Sequence, residues 1–264
     1  MCGLAGWVGA PKARQTLTMA LAMGADTRGG HACGYVALNG RTTFRRYGKS
    51  FTALPTSAWD AMLKHAETAH TMLLHGRYAT CGIPSAVAQA HPYPVGGLLI
   101  AHNGIVYDAE DLAARNKRRY VTDSYELAHL VAASAWDEIG TLSGYGTIMW
   151  TDGRSVFLVR ASDDAQLDIG ETADGSVLWA STAAILGYAA KTAGVELAHQ
   201  FEPETGMIVE VNSEGCFDTG KRVEFMSEKY DWRDWKDPGD VEVELDWTTD
   251  AEWLYWNQNE RLVD

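Results

Sequence analysis

Short apolar runs separated by turn residues constrain the fold of this chain more than any other feature. The clearest pair covers residues 33–38 and 42–47, which are joined by Asn39-Gly40. Two such runs around an Asn-Gly pair predict a β-hairpin, because both turn residues readily adopt positive φ. The sequence therefore favours antiparallel strand pairs over a parallel sheet.

Helices are predicted as isolated blocks between many strands. Helical spacing of apolar residues marks segments 12–23, 59–67, 123–136 and 182–191. Strand patterns cover residues 1–9, 33–38, 42–47, 70–74, 97–102, 146–151, 155–160, 166–170, 176–179, 207–211 and 216–217. Because strands outnumber helices and pair as hairpins, we expect an α+β fold with antiparallel sheets.

Local signals predict where some of these elements begin and end. The first helix is expected to end at Gly24, and the third to begin at a cap formed by Thr122 or Asp123. The strand 97–102 is expected to stop at Asn103-Gly104, and residues 76–94 are typical of a loop.

The charge balance argues against several classes of protein. With 22 Lys and Arg against 35 Asp and Glu, the formal net charge is −13. Such a chain is not expected to bind nucleic acid, and its one obvious basic cluster is Arg115, Lys117, Arg118 and Arg119. No apolar run is long enough to predict a membrane span.

Cysteine usage indicates a reducing compartment. The four cysteines are irregularly spaced and no export signal precedes them, so we expect free thiols and a cytoplasmic location; they are Cys2, Cys33, Cys81 and Cys216. No metal-ligand spacing or phosphate-binding glycine pattern appears, so neither a metal nor a cofactor is expected.

Residues 227–264 differ from the rest of the chain. They contain five of the ten tryptophans and 12 acidic against 4 basic residues. Two interpretations remain open: an extension whose indoles pack on the domain 1–226, or a segment that docks a partner protein through aromatic anchors.

Cys2 is the leading candidate nucleophile. Cysteine is small enough for the initiator methionine to be removed, which would leave Cys2 with a free α-amine. That amine titrates near 7.7–8 in model peptides and can exchange a proton with the thiol beside it. On position alone, however, a small residue after Met1 is commonplace.

Four downstream segments add to this signal by their order and spacing. They are residues 75–82 (HGRYATCG), 89–92 (QAHP), 101–106 (AHNGIV) and 122–124 (TDS). Together with the N-terminal MCGLAG, they resemble the glutaminase domain of class II glutamine amidotransferases, most like the glucosamine-6-phosphate synthase type. The resemblance is firm over residues 2 to about 135 and looser to about 225.

The resemblance implies a fold and a set of roles. The fold would be the four-layer αββα sandwich of N-terminal nucleophile hydrolases, with two mainly antiparallel sheets between helices. Cys2 would attack the glutamine γ-amide, and Asn103 with the backbone N–H of Gly104 would form the oxyanion hole. Substrate contacts would come from Arg77 and Thr80 at the α-carboxylate, Asp123 at the α-ammonium, and Tyr78 and His91 nearby.

Each of these residues also has an ordinary interpretation. Arg77 and Asp123 could be surface charges, Asn103-Gly104 a turn, and His91 a hydrogen-bonded structural histidine. The chain also departs from the pattern Arg-Gly-x-Asp-Ser-x-Gly usual in the family. Residues 28–34 (RGGHACG) place His31 and Ala32 at the acidic and hydroxyl positions.

Three functions are consistent with these observations. The first is a glutaminase that supplies ammonia to a separate acceptor protein docked through residues 227–264, since no acceptor module is recognised in the chain. The second is an amidohydrolase acting on another γ-glutamyl compound. The third is a non-catalytic regulatory or structural subunit, which His31 and Ala32 favour.

Overall fold

The computed structural model describes residues 2–226. Met1 and residues 227–264 lie outside the described part of the chain, and so does the predicted acidic extension with its tryptophans. Within residues 2–226, no helix combines the length and apolar character that crossing a membrane requires.

The described residues form two antiparallel sheets of seven and six strands. In chain order the strands are β1 (Gly3–Val8), β2 (Ala32–Leu38), β3 (Thr42–Tyr47), β4 (Thr71–Arg77), β5 (Tyr93–Val95), β6 (Leu98–Val106), β7 (Gly144–Thr151), β8 (Val156–Arg160), β9 (Asp168–Thr172), β10 (Val177–Ala180), β11 (Leu197–Phe201), β12 (Met207–Asn212) and β13 (Gly215–Arg222). The first sheet has the order β11-β9-β10-β1-β4-β2-β3, and the second β13-β12-β8-β7-β6-β5.

Helices cover the outer face of each sheet. They are α1 (Arg14–Asp26), α2 (Thr56–Thr68), α3 (Ala109–Arg115), α4 (Asp123–Ala132), α5 (Trp136–Ile139) and α6 (Ala183–Ala193). One core joins α1, α2 and α6 to the first sheet, and a second joins α3, α4 and α5 to the second. The result is four layers in the order helix, sheet, sheet, helix.

The two sheets face each other through buried side chains of their central strands. The indole nitrogen of Trp179 on β10 donates to Met149 Sδ on β7, at 3.2 Å. Successive side chains of β1 point to opposite faces of the first sheet. Ala5 and Trp7 pack in the core between this sheet and its helices, while Leu4 is buried on the other face. The α+β expectation, with its two antiparallel sheets, is confirmed.

The register of β1 brings the start of the chain to the end of β4. Gly3 pairs with Gly76 and Leu4 with His75 in this antiparallel ladder. Cys2, one residue before Gly3, therefore lies at the junction of Arg77 and Tyr78.

The predicted hairpin at Asn39-Gly40 is confirmed. Leu38 pairs with Thr42 across the turn, and Gly40 adopts φ +87°. The predicted cap of α4 is also present, because Thr122 Oγ1 accepts a hydrogen bond from the backbone N–H of Tyr125 at 3.1 Å.

Several predicted boundaries were wrong, and tertiary packing explains them. Helix α1 continues through Gly24 to Asp26, since the absence of a side chain there admits Ile185 of α6. The segment 76–94 is not a continuous loop, because it contains the end of β4 and all of β5.

Besides β5, the sequence patterns missed two elements, and they merged two helices into one. Helix α3 and strand β11 were not predicted; α3 is only seven residues long, and β11 is an exposed edge strand with little apolar periodicity. The helix expected over 123–136 is divided, because α4 ends at Ala132 and α5 begins at Trp136.

The close packing around Gly6 within the first sheet predicts a large effect of one methyl group. A Cβ at Gly6 would collide with the Trp179 indole and the Met72 carbonyl, so Gly6→Ala should lower the free energy of unfolding by about 1–3 kcal/mol. Gly187→Ala is the matched control, because the added methyl meets nothing and alanine stabilises a helix by about 0.5–1 kcal/mol. Urea denaturation measures both, and equal stability of the two variants would contradict the packing described here.

Candidate functional site

The Cys2 thiol lies against the backbone that follows β4. The amide N–H of Tyr78 donates to Cys2 Sγ at 3.3 Å, and the thiol donates to the Tyr78 carbonyl at 3.5 Å. Burial raises the pKa of the Cys2 thiol, while the Tyr78 amide and the Arg77 charge act to lower it. A thiolate at this position would therefore have one backbone donor directed at it.

Arg77 ends β4 beside this thiol and is only 3% exposed. Its guanidinium donates to three carbonyls of the loop that follows, those of Cys81 at 2.8 Å, Ile83 at 3.0 Å and Pro84 at 3.1 Å. These bonds curl the loop around the side chain. No carboxylate pairs with Arg77 within residues 2–226.

Asp123 approaches the thiol from the second sheet. It is the first residue of α4, it is 6% exposed, and its Oδ2 accepts the backbone N–H of Val106 at 3.0 Å. Its Oδ1 accepts longer hydrogen bonds from Ser124 Oγ at 3.4 Å and from Cys81 Sγ at 3.7 Å. The end of β6 and the start of α4 thus hold the carboxylate together.

Arg77 and Asp123 are buried side chains of opposite charge that both act on the Cys2 thiol. Both act on the pKa of Cys2, the arginine lowering it and the carboxylate raising it. Neither forms an ion pair with any described residue. Buried charges are normally paired, so this arrangement suits a ligand that carries both a carboxylate and an ammonium.

Asn103 reaches the same region from β6. Its Nδ2 donates to Ser181 Oγ at 3.4 Å, and Ser181 Oγ in turn accepts from the backbone N–H of Leu4 at 2.8 Å. Ser181 is completely buried. Through these two hydrogen bonds it joins β6, which carries Asn103, to β1, which follows Cys2. Sequence reasoning did not select Ser181, although residues 179–182 belong to the region of looser resemblance.

Asn103-Gly104 is not a turn, contrary to the predicted end of the strand. Strand β6 continues to Val106, with Asn103 paired to Thr147 and Gly104 to Gly146. A side chain at Gly104 would collide with the Tyr145 carbonyl, so close approach of β7 requires glycine here. The ladder therefore extends the second sheet past Asn103.

The remaining predicted substrate residues fall into two groups. Tyr78 is 45% exposed and Thr80 is also exposed, both in the loop after β4. His91 is instead buried, with its ring centroid 4.0 Å from that of His75, and burial together with the His75 and Arg77 charges lowers its pKa. Its burial suits a role behind the site, and direct substrate contact by His91 stays a prediction.

His31 occupies the acidic position of the family pattern and is part of the site. Its Nδ1 accepts the backbone N–H of Ala79 at 3.0 Å, and its ring stacks on Tyr78 with centroids 4.6 Å apart. Ala32, at the hydroxyl position, is buried and pairs with Arg77 across the β2–β4 ladder. Both positions that depart from the family pattern therefore contact residues 77–79.

Arg28 and Cys81 also belong to the site, although neither was among the predicted site residues. Arg28 Nε donates to the Cys2 carbonyl at 3.1 Å and so fixes the backbone of the nucleophile. The sequence feature that could have identified Arg28 is the motif at residues 28–34, which begins with it.

Within residues 2–226, no three His, Cys, Asp or Glu side chains form a metal-binding group.

The chain is similar to known proteins over part of its length. No family model matches the chain. Glutamine–fructose-6-phosphate aminotransferase (isomerizing) of Aliivibrio fischeri is 32% identical over 143 residues, covering 50% of this chain and 22% of the relative. The Vibrio cholerae protein of the same name is 30% identical over 189 residues, covering 64% and 30%. The chain spans less than a third of the length of these relatives.

The fold is also found among solved structures. Glutamine phosphoribosylpyrophosphate amidotransferase of B. subtilis superposes with a TM-score of 0.65 at 21% identity, over 84% of this chain and 49% of the other. The fold is that of the N-terminal nucleophile hydrolases. In sequence and fold, the chain resembles the class II glutamine amidotransferase domains of the aminotransferases and of the phosphoribosylpyrophosphate amidotransferase.

The Asp123 carboxylate should control the reactivity of a second thiol. Burial first, and then the Asp123 charge, raise the pKa of Cys81 to about 11. Asp123→Asn removes the negative charge that disfavours the thiolate, so the Cys81 pKa should fall by about one unit. The pH dependence of iodoacetamide alkylation, followed on the Cys81 peptide by mass spectrometry, measures this shift.

Asp60→Asn is the control, because it makes the same charge change on the exposed face of α2. It should leave the alkylation midpoint of Cys81 unchanged. A midpoint equally high in wild type and Asp123→Asn would contradict the placement of the carboxylate beside Cys81.

Proposed function

We propose that this protein hydrolyses the γ-amide of glutamine through a Cys2 thioester, giving glutamate and ammonia for a separate acceptor enzyme. The observation that carries the proposal is the pair of buried, opposite charges, Arg77 and Asp123, which both act on the Cys2 thiol and form no ion pair within the described residues. One cation and one anion are complementary to the α-carboxylate and the α-ammonium of an amino acid, which supports an amino-acid amide as substrate.

The two charges would orient glutamine by its α-carbon. Arg77 would bind the α-carboxylate, a task that suits a planar guanidinium whose position is fixed by three carbonyls. Asp123 would bind the α-ammonium, with Thr80 and Tyr78 completing the wall of the site. The side-chain amide of the substrate would then point towards Cys2 Sγ.

The nucleophile requires a base, and none of the buried histidines contacts the thiol in the described structure. We propose that removal of Met1 gives Cys2 a free α-amine, which takes the thiol proton as sulfur attacks the amide carbon. The ammonium that forms then protonates the departing nitrogen, so that ammonia leaves as the carbon–nitrogen bond breaks. Water, deprotonated by the same amine, attacks the thioester, and the released thiolate recovers its proton.

The oxyanion of each tetrahedral intermediate needs preorganised donors. Asn103 Nδ2 and the backbone N–H of Gly104 would supply them, each lowering the barrier by about 3–4 kcal/mol. The hydrogen bond from Asn103 to Ser181 is long at 3.4 Å, which leaves the amide able to turn towards the substrate. Ser181 would thereby connect the oxyanion hole to the strand of the nucleophile.

The ammonia released from glutamine needs an acceptor. We propose that a separate synthase receives the ammonia and is recruited through residues 227–264, whose acidic and tryptophan-rich composition suits a docking segment. A reducing, cytoplasmic location fits the four free thiols.

Ammonia release from glutamine tests the reaction directly. Cys2→Ala should lower the rate at least about a thousandfold, because it removes the nucleophile itself. Cys216→Ala, a cysteine substitution on the distant strand β13, should keep the wild-type rate. Intact mass spectrometry of the same samples should show the loss of Met1.

Other results would favour the alternatives. Equal rates in wild type and Cys2→Ala would remove Cys2 from the mechanism. Hydrolysis of a γ-glutamyl amide in preference to glutamine would indicate an amidohydrolase. A chain that retains Met1 and hydrolyses neither compound would indicate a non-catalytic subunit.

Recognition of the α-ammonium by Asp123 can be isolated with a deamino substrate. Wild type should prefer glutamine over glutaric acid monoamide about 10- to 100-fold in kcat/KM, because one charged hydrogen bond is worth about 1.5–3 kcal/mol. Asp123→Asn should reduce this preference to less than about threefold, since the amide carries no charge. Its effect on thiol reactivity cancels in the ratio.

Asp60→Asn should keep the wild-type preference in the same assay. A preference that survives in Asp123→Asn would show that another group binds the ammonium.

A further inference from the structure

His31 makes three contacts with the segment that carries the Cys2 contacts. Its backbone N–H donates to the Arg77 carbonyl at 3.0 Å, and its Nδ1 accepts from the Ala79 N–H at 3.0 Å. Its ring stacks on Tyr78 at a centroid distance of 4.6 Å and an interplanar angle of 26°. Residues 77–79 are therefore held from one side by a single residue.

The hydrogen bond to Ala79 fixes the form of the imidazole. A backbone N–H can only donate, so Nδ1 must carry a lone pair and the ring proton must lie on Nε2. The Ala79 N–H thus requires an acceptor at the position of His31 Nδ1. Stacking of an aromatic ring on Tyr78 would not supply that acceptor.

The held segment presents its backbone to the nucleophile. Tyr78 lies between the two His31 contacts, at Arg77 and Ala79, and its amide donates to Cys2 Sγ at 3.3 Å. The Ala79 N–H lies in the same peptide as the Tyr78 carbonyl, which accepts from the Cys2 thiol at 3.5 Å, so rotation of that peptide would disturb the Tyr78 backbone that contacts the sulfur. The orientation of the thiol therefore depends on an acceptor that lies outside direct contact with it.

We propose that His31 is a positioning residue of the nucleophile: its Nδ1 anchors the Ala79 amide and so keeps the Tyr78 backbone in contact with Cys2 Sγ. The role of His31 in turnover rests on the proposed glutaminase activity, whereas its effect on the Cys2 thiol does not. The residue that departs from the family pattern thereby supports the site by a contact of its own.

Two substitutions separate the acceptor from the stacked ring. His31→Phe keeps an aromatic ring against Tyr78 and removes the acceptor. His31→Asn places Oδ1 near the position of Nδ1 and removes the ring. If the acceptor is what matters, the phenylalanine variant should fail and the asparagine variant should restore function.

The first readout is the rate of Cys2 alkylation by iodoacetamide at fixed pH, followed on the Cys2 peptide. His31→Phe should alkylate Cys2 about tenfold more slowly than wild type, and His31→Asn within about threefold of it. Alkylation of Cys216 in the same samples and a thermal melt control for folding. This readout holds even if glutamine is not the substrate.

The second readout is glutamine hydrolysis. His31→Phe should lower kcat about tenfold and leave KM within about twofold, because the nucleophile is misdirected while the substrate-binding charges remain. Unchanged Cys2 alkylation in His31→Phe, or equal losses in both variants, would overturn the proposal. Absence of hydrolysis by wild type, with the alkylation difference intact, would overturn the glutaminase function alone.

Discussion

The antiparallel pairing of β1 with β4 is the constraint on which the rest of the site depends. In its register Gly3 pairs with Gly76, so backbone pairing alone places Cys2 at the Arg77–Tyr78 junction. Ser181 reinforces the same strand by accepting from Leu4 N at 2.8 Å. A shift of one residue would turn β1 over and exchange its two buried faces, so core packing and the position of the nucleophile are fixed together.

The facing sheets complete the site by bringing opposite charges towards one thiol. Arg77 lies at the end of β4 in the first sheet, and its guanidinium donates hydrogen bonds to loop carbonyls. Asp123 is the first residue of α4, which packs on the second sheet, and its carboxylate accepts a hydrogen bond from the Val106 N–H. Burial without a protein counter-ion is costly for each group unless a ligand supplies the missing charge. This arrangement supports the proposed binding of a zwitterionic amide, and the similarity to glutamine-dependent aminotransferases supports the proposed function.

Much of this could be predicted from the sequence, for reasons that are physical. Asn39-Gly40 fixes a hairpin locally, and the Thr122 cap fixes the start of α4, because both depend on neighbouring residues alone. The continuation of β6 through Asn103-Gly104 depends on β7, which no local pattern contains. The contacts of His31 also required the fold, since a histidine at an acidic motif position gave no indication that it would accept from Ala79.

Covalent trapping tests the central claim most directly. A diazo-ketone analogue of glutamine carries the two charged ends of the amino acid and a reactive group where the amide would be. After incubation, peptide mapping should find the label on Cys2 of a chain that has lost Met1, and excess glutamine should protect it. Label on Cys81 instead, or no label on Cys2 at saturating reagent, would contradict the account.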